Sequence, residues 1–138
     1  MTNRLLLASH GELARGLRDA ALLIMGERDD IFATAPYSGD IDALLAETRA
    51  VLDGVDGILV VLTDLEGGSP HNALLPLTTD ARVRVISGAN LPLVIAIALD
   101  LPDLDADSSF GDAIDEARAG LRSHVLLGPD SAPDEEDF

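Results

Sequence analysis

Residues 57–63, Gly57-Ile58-Leu59-Val60-Val61-Leu62-Thr63, form an apolar, largely branched run with no charged side chain. A strand that alternates polar and apolar residues keeps one wet face; this run has none, so it needs cover on both faces. That requirement places it at the centre of a parallel sheet between two layers of helix. The rest of the chain supplies those layers. Residues 4–8 are a shorter apolar run, 31–37 a weaker mixed strand and 82–87 an alternating one. Amphipathic stretches intervene. Residues 12–25 carry Leu13, Leu17, Ala20, Ala21 and Ile24 at helical spacing, with Gly26 closing them, and residues 41–52 follow the turn Ser38-Gly39-Asp40. Further helices are expected over 70–77, 91–99 and 112–122, with Pro76 shortening or kinking the first of these. Strand and helix in repeated alternation predict an α/β fold: a three-layer, open, mostly parallel sheet of order 2-1-3-4 with helices on both faces. Residues 123–127 are a candidate antiparallel C-terminal edge strand.

The 138 residues suit one domain, expected over 1–128, followed by a disordered acidic tail over 129–138 that holds five acids and no base. Even without that tail, nine basic residues face 20 acidic ones; the whole chain carries a formal charge of −16. A surface so negative repels nucleic-acid phosphates and anionic lipid. All nine bases are arginine, which excludes lysine Schiff bases and a lysine-dependent phosphate loop. With no cysteine, disulfides and thiolate chemistry are excluded too. The longest apolar stretch, 91–99, is interrupted by Pro92 and is far short of the ~20 residues of a spanning helix, so no direct membrane insertion is expected and the cytoplasm is the natural setting. The acidic excess adds solubility or suits a saline cytoplasm; composition leaves both open.

Open α/β sheets bind ligands beyond the carboxyl ends of their strands, where the strand order reverses. The loops at those ends are Ser9-His10-Gly11, Asp64-Leu65-Glu66-Gly67-Gly68-Ser69-Pro70 and Ser87-Gly88-Ala89-Asn90. With strands one and three adjacent, His10, Asp64 and Ser69 converge. His10 is placed as a capping residue, at the positive end of the first helix, where free amides favour an anion and the imidazole is a candidate phosphoryl acceptor. A carboxylate at Asp64 bonded to Nδ1–H would leave Nε2 unprotonated; a plain loop histidine and an Asx turn are the bland alternatives. Ser69 reads as an N-cap ahead of Pro70, with Gly67 and Gly68 allowing close backbone approach to an anion. Gly11, Gly67, Gly68 and Ser69 are therefore the candidate phosphate-binding positions. His71 lies near the site and His124 stands apart; no histidine pair has metal-ligand spacing, and no nucleotide loop or cofactor motif is present.

Three blocks carry a resemblance: Leu5-Leu6-Leu7-Ala8-Ser9-His10-Gly11-Glu12-Leu13-Ala14-Arg15-Gly16-Leu17, then Val61-Leu62-Thr63-Asp64-Leu65-Glu66-Gly67-Gly68-Ser69-Pro70-His71-Asn72-Ala73, then Val85-Ile86-Ser87-Gly88-Ala89-Asn90-Leu91-Pro92-Leu93. Together they span residues 5 to about 125 and resemble IIA components of the mannose family of the bacterial phosphoenolpyruvate-dependent sugar phosphotransferase system. The resemblance implies a phosphocarrier. His10 matches the family's phosphorylated histidine, which takes phosphate on Nε2 from the phosphocarrier protein HPr and passes it to a IIB component. Asp64 matches the aspartate that hydrogen-bonds it, and Ser69 the serine of the Gly-Gly-Ser-Pro loop. It further implies a homodimer that exchanges a C-terminal strand, with IIB and the membrane components expected as separate polypeptides. Where the family usually has aromatic residues, this chain has Glu66 and His71. A regulatory phosphoacceptor module, a phosphotransfer subunit of the dihydroxyacetone-kinase type and a flavodoxin-like binding domain stay open as alternatives.

Overall fold

The computed structural model describes residues 1–126; Leu127 and the expected acidic tail lie outside the described residues. Four strands, β1 (Arg4–Ala8), β2 (Ile31–Ala33), β3 (Leu59–Thr63) and β4 (Val83–Ile86), form one sheet. Their order is β2-β1-β3-β4 and every pair is parallel, as the alternation of strands and helices predicted. The helices are α1 (Leu13–Met25), α2 (Ile41–Asp53), α3 (Ser69–Leu74), α4 (Leu91–Asp100) and α5 (Gly111–Ala119), with 3-10 turns at Leu75–Thr79 and Leu101–Asp103.

All five residues of β3 are buried, which is what its unbroken apolar run demands. Successive side chains go to opposite faces. Leu5, Leu7, Val60 and Leu62 meet α1, α4 and α5 through Ala21, Leu22, Val94, Ile97 and Ala117. Leu6, Ala8, Leu59 and Val61 meet α2 and α3 through Leu44, Leu52 and Leu74. Two cores thus flank one sheet. Each fully buried leucine contributes about 1.5–3 kcal/mol relative to exposure, so the sheet is the rigid part of the molecule.

Three expectations need correction. The buried face of α1 runs through Ala14, Ala21 and Leu22, whereas Leu13 and Ile24 are half exposed. The inward stripe is turned by one position, because small alanines let α1 lie close to the sheet. β2 stops at Ala33, four residues before the expected end; the Thr34 amide still bonds the Leu7 carbonyl, but Pro36 has no N–H to extend the ladder. The expected edge strand at the C-terminus is absent over the described residues 121–126, which are exposed coil. A strand needs a neighbour with free main-chain groups, and among the described residues no strand lies beside this segment. The proline effect on α3 does hold: the α-helix ends at Leu74 and the chain continues as a 3-10 turn containing Pro76.

Candidate functional site

The register fixes where the site lies. Ala8 of β1 and Thr63 of β3 are the last paired residues of their strands, so the loops that follow leave the sheet side by side. β1 is flanked by β2 on one side and β3 on the other, and the order in which strands are added reverses there, which is the crevice position of open α/β sheets. A hydrogen bond from the Ala89 amide to the Thr63 carbonyl, 2.9 Å, brings the loop after β4 to the same edge.

His10 and Asp64 meet directly. Oδ2 of Asp64 accepts the His10 backbone N–H at 3.0 Å and lies 2.9 Å from His10 Nδ1. Burial pushes the Asp64 carboxyl up, but the side-chain and backbone hydrogen bonds from His10, with the attraction between the two groups, outweigh it and hold its pKa below the usual carboxylate value. Asp64 is therefore ionised at neutral pH. An ionised carboxylate only accepts, so Nδ1 carries the proton and Nε2 of the neutral ring keeps its lone pair. The other oxygen, Oδ1, is buried without a partner among the described residues. The ring itself remains 48% exposed while Asp64 is 12% exposed, so the aspartate is under the imidazole and a large partner can reach Nε2.

The capping groups differ from expectation. The side chain at the start of α1 is that of Ser9: its Oγ accepts the Ala14 N–H at 2.7 Å and donates to the His10 carbonyl at 3.0 Å. His10 is held just ahead of the helix and does not cap it; Glu12 is the N-cap. In α3 the N-cap is Gly68 and Ser69 is the first helical residue, so the helix starts one position earlier than the sequence suggested.

The glycines have distinct uses. Gly11 and Gly67 adopt left-handed φ values of +53° and +78°, where a side chain would be strained. A Cβ on Gly68 would stand 2.8 Å from His10 Cε1 and 3.1 Å from the Leu65 carbonyl oxygen. The imidazole rests against bare backbone there. Gly11 and Gly68 spend their amides inside the protein, on the carbonyls of Tyr37 and Leu65, whereas the Gly67 amide has no partner among the described residues. Asn72 Nδ2 donates to the Gly67 carbonyl at 3.0 Å and ties the loop to α3.

Tyr37 is the member that the sequence reading missed. Its hydroxyl lies 2.5 Å from Ser69 Oγ, and its ring meets His10 edge to face. It links His10 to Ser69. The signal available was that the chain's one tyrosine falls at the carboxyl end of the expected second strand, 31–37, at the same sheet edge. His71 is near the site but turned inward, with Nδ1 2.8 Å from Oγ1 of the buried Thr63. Glu66 is exposed, and His124 is an exposed coil residue with no part in the cluster.

No cluster of three His, Asp or Glu side chains among the described residues is placed to hold a metal. A groove between α1 and β2, lined by Glu12, Arg15, Arg18 and Asp29, excludes His10, Asp64 and Ser69. The His10 imidazole therefore sits on open surface. What the arrangement can do is nucleophilic attack by an exposed imidazole nitrogen, with a hydroxyl and an unpaired amide close by for an anion.

Comparison with known proteins gives the same direction. The family model described as PTS system fructose IIA component, EIIA-man, matches residues 4–114. The sorbose-specific EIIA component of Klebsiella pneumoniae is 32% identical over 101 residues, 72% of this chain and 75% of that protein. A mannose-specific EIIAB component of Escherichia coli is 29% identical over 132 residues, 89% of this chain but only 40% of that longer protein. A crystal structure of a phosphoenolpyruvate-dependent sugar phosphotransferase system permease from Klebsiella pneumoniae superposes with a TM-score of 0.75 at 26% identity, covering 89% of this chain and 91% of that one. With the family model covering most of its length, the chain belongs to the EIIA-man family, the mannose-type IIA components of the sugar phosphotransferase system.

Proposed function

We propose that the chain is a phosphocarrier that takes a phosphoryl group on His10 Nε2 from phosphorylated HPr and hands it to a IIB component for sugar uptake. The observation that supports this most is the doubly bonded Asp64 oxygen, which fixes the ring and leaves Nε2 unprotonated and exposed. In the forward step the Nε2 lone pair forms a bond to phosphorus. The bond from phosphorus to the HPr histidine breaks, and its electron pair leaves with that imidazole. No proton has to leave His10, because the ring proton stays on Nδ1 facing Asp64, and the positive charge that develops is balanced by the carboxylate. The Ser69 hydroxyl and the Gly67 amide meet the phosphoryl oxygens; Gly11 and Gly68 contribute by conformation and by leaving space for the ring. Transfer onward to IIB is the same displacement in reverse.

The acidic surface favours a basic donor face, as charge complementarity speeds encounter between proteins. No helix among the described residues is long and apolar enough to cross a membrane; in this reading the chain works in the cytoplasm beside separate membrane components. It does so as a homodimer, through the outer edge of β4.

Incubation with phosphoenolpyruvate, enzyme I and HPr should place one acid-labile phosphoryl group on His10. His10→Ala should abolish labelling while circular dichroism stays that of the parent. Acid-labile phosphate on the His10→Ala protein would overturn the assignment.

A further inference from the structure

The chain's one tyrosine stands where three parts of the site meet, and the transfer just described leaves it without a role. Its backbone N–H donates to the Gly11 carbonyl at 3.2 Å, and its carbonyl accepts the Gly11 N–H at 2.9 Å. Its ring meets the His10 imidazole with centroids 6.3 Å apart and planes at 74°. Its hydroxyl reaches Ser69 Oγ at 2.5 Å. Only 9% exposed and held at both main-chain groups, the phenol has little room to swing away.

The direction of that hydroxyl bond decides what Ser69 can do. A serine hydroxyl has one proton and two lone pairs. If Ser69 gave its proton to Tyr37, it would present a lone pair to a phosphoryl oxygen, and the two would repel. If Tyr37 donates, Ser69 keeps its proton for the anion. The phenol is the stronger donor of the two, because delocalisation of its oxygen lone pair into the ring polarises the O–H and weakens the oxygen as an acceptor. A hydroxyl that accepts one hydrogen bond also donates the next more strongly.

We infer that Tyr37 is a positioning residue: it donates its hydroxyl proton to Ser69 and so aims the Ser69 O–H at the oxygens of a phosphoryl group on His10. Tyr37 makes no bond to phosphorus and gives up no proton. The edge contact with His10 adds a second effect, limiting rotation of the imidazole. The inference rests on the phosphocarrier reading and extends it to the residue that sets the hydroxyl's direction.

The test uses the full chain as parent, Tyr37→Phe, Ser69→Ala and the double variant, with phosphorylated HPr as donor in single-turnover transfer. Tyr37→Phe keeps the ring and removes only the hydroxyl. It should slow transfer at saturating HPr by about three- to tenfold, the scale of one hydrogen bond, with the half-saturating HPr concentration unchanged. The double variant should be no slower than Ser69→Ala alone, since Tyr37 acts through that hydroxyl. A Tyr37→Phe rate equal to the parent's, or effects that multiply in the double variant, would overturn the inference and leave the phosphocarrier reading intact. A parent that takes no phosphate would sink both. Proton NMR of the parent gives a check that needs no variant to fold. A Tyr37 hydroxyl proton in through-space contact with the Ser69 β-protons supports the direction; a Ser69 hydroxyl proton bonded to Tyr37 Oη overturns it.

Discussion

At Asp64 a single carboxylate oxygen accepts two bonds, from the backbone and from the ring of His10. An amide in its place has only one oxygen, and the choice of which end faces His10 is constrained. Turning the NH2 group toward His10 would set it against the backbone N–H, donor to donor. The amide oxygen must therefore face His10, so the ring keeps its proton on Nδ1. Asp64→Asn should accordingly preserve the tautomer and lose only the charge that strengthens the bond, a difference of ~1–3 kcal/mol. In stopped transfer assays it should slow phosphorylation by about ten- to a hundredfold and slow the return to HPr as well, without abolishing either. Complete loss, equal to His10→Ala, would show that the amide had flipped. His10, Asp64 and Ser69 were legible in the sequence because each lies between the end of a strand and the first turn of the helix that follows, and strand order alone brings such connections together. Tyr37 was not, because its contribution depends on the path of the loop after Ala33, which no spacing encodes. The one-position error at Ser69 has a similar cause: Gly68 takes the extended conformation of the N-cap, and a glycine there gives no side-chain signal.

At the scale of elements, the sheet has two open edges, β2 and β4, and the one with exposed apolar chain close by is β4. One side of it pairs with β3, and the other has no strand beside it among the described residues. Next to that edge is a groove lined by Val85, Ser87, Leu93, Ile114 and Leu121, and the chain that follows exposes Leu121, Val125 and Leu126 at 77%, 68% and 77%. Open edges with exposed apolar chain close by invite strand addition. Residues 123–127 were the candidate edge strand, yet the described residues offer 123–126 no strand partner. A second copy would. If residues after 122 pair with β4 of the second copy, the full chain should sediment at twice its 14.5 kDa mass. A version ending at Arg122 should sediment as a monomer with the same helical circular dichroism, since the described residues it loses, 123–126, are exposed coil. A truncated chain that still sediments as a dimer would move the interface elsewhere. The central elements were readable for the opposite reason: β1, β3 and α2 complete their contacts within one copy, so their own periodicity was sufficient. The face of α1 was misjudged because alanine is too weak a hydrophobic signal to outrank Leu13 and Ile24 in sequence, although Ala14 and Ala21 allow the closest packing.

For the whole molecule, the governing quantity is charge. Twenty-five acids face nine arginines, and among the described residues only two arginine–carboxylate pairs form, Arg28–Asp30 at 2.7 Å and Arg82–Asp80 at 2.8 Å. The hydrogen bonds from Arg82 draw the Asp80 carboxyl down to about 2, so that pair survives mild acid. Arg4 and Arg18 spend bonds on carbonyls of Val51 and Ile31 and neutralise no specific carboxylate. Most acidic side chains therefore repel one another across the surface, and folding concentrates that repulsion. At 0.01 M salt the screening length is ~30 Å, comparable with the domain; at 0.5 M it is roughly 4 Å. Among the described residues little attraction is available to be lost on screening, because the two partly exposed pairs are worth ~0–1 kcal/mol each. The thermal midpoint should thus rise by several degrees between 0.01 and 0.5 M potassium chloride, equivalent to about 1–2 kcal/mol, and level off beyond it. At pH 4, near the ordinary aspartate pKa of about 3.9, many carboxylates are already neutral and the same salt step should give a smaller rise. An equal rise at both pH values would assign the effect to general exclusion of salt from the surface. A midpoint that falls with salt at pH 7 would mean that net attraction holds the acidic surface together, against the pairing seen in the structure.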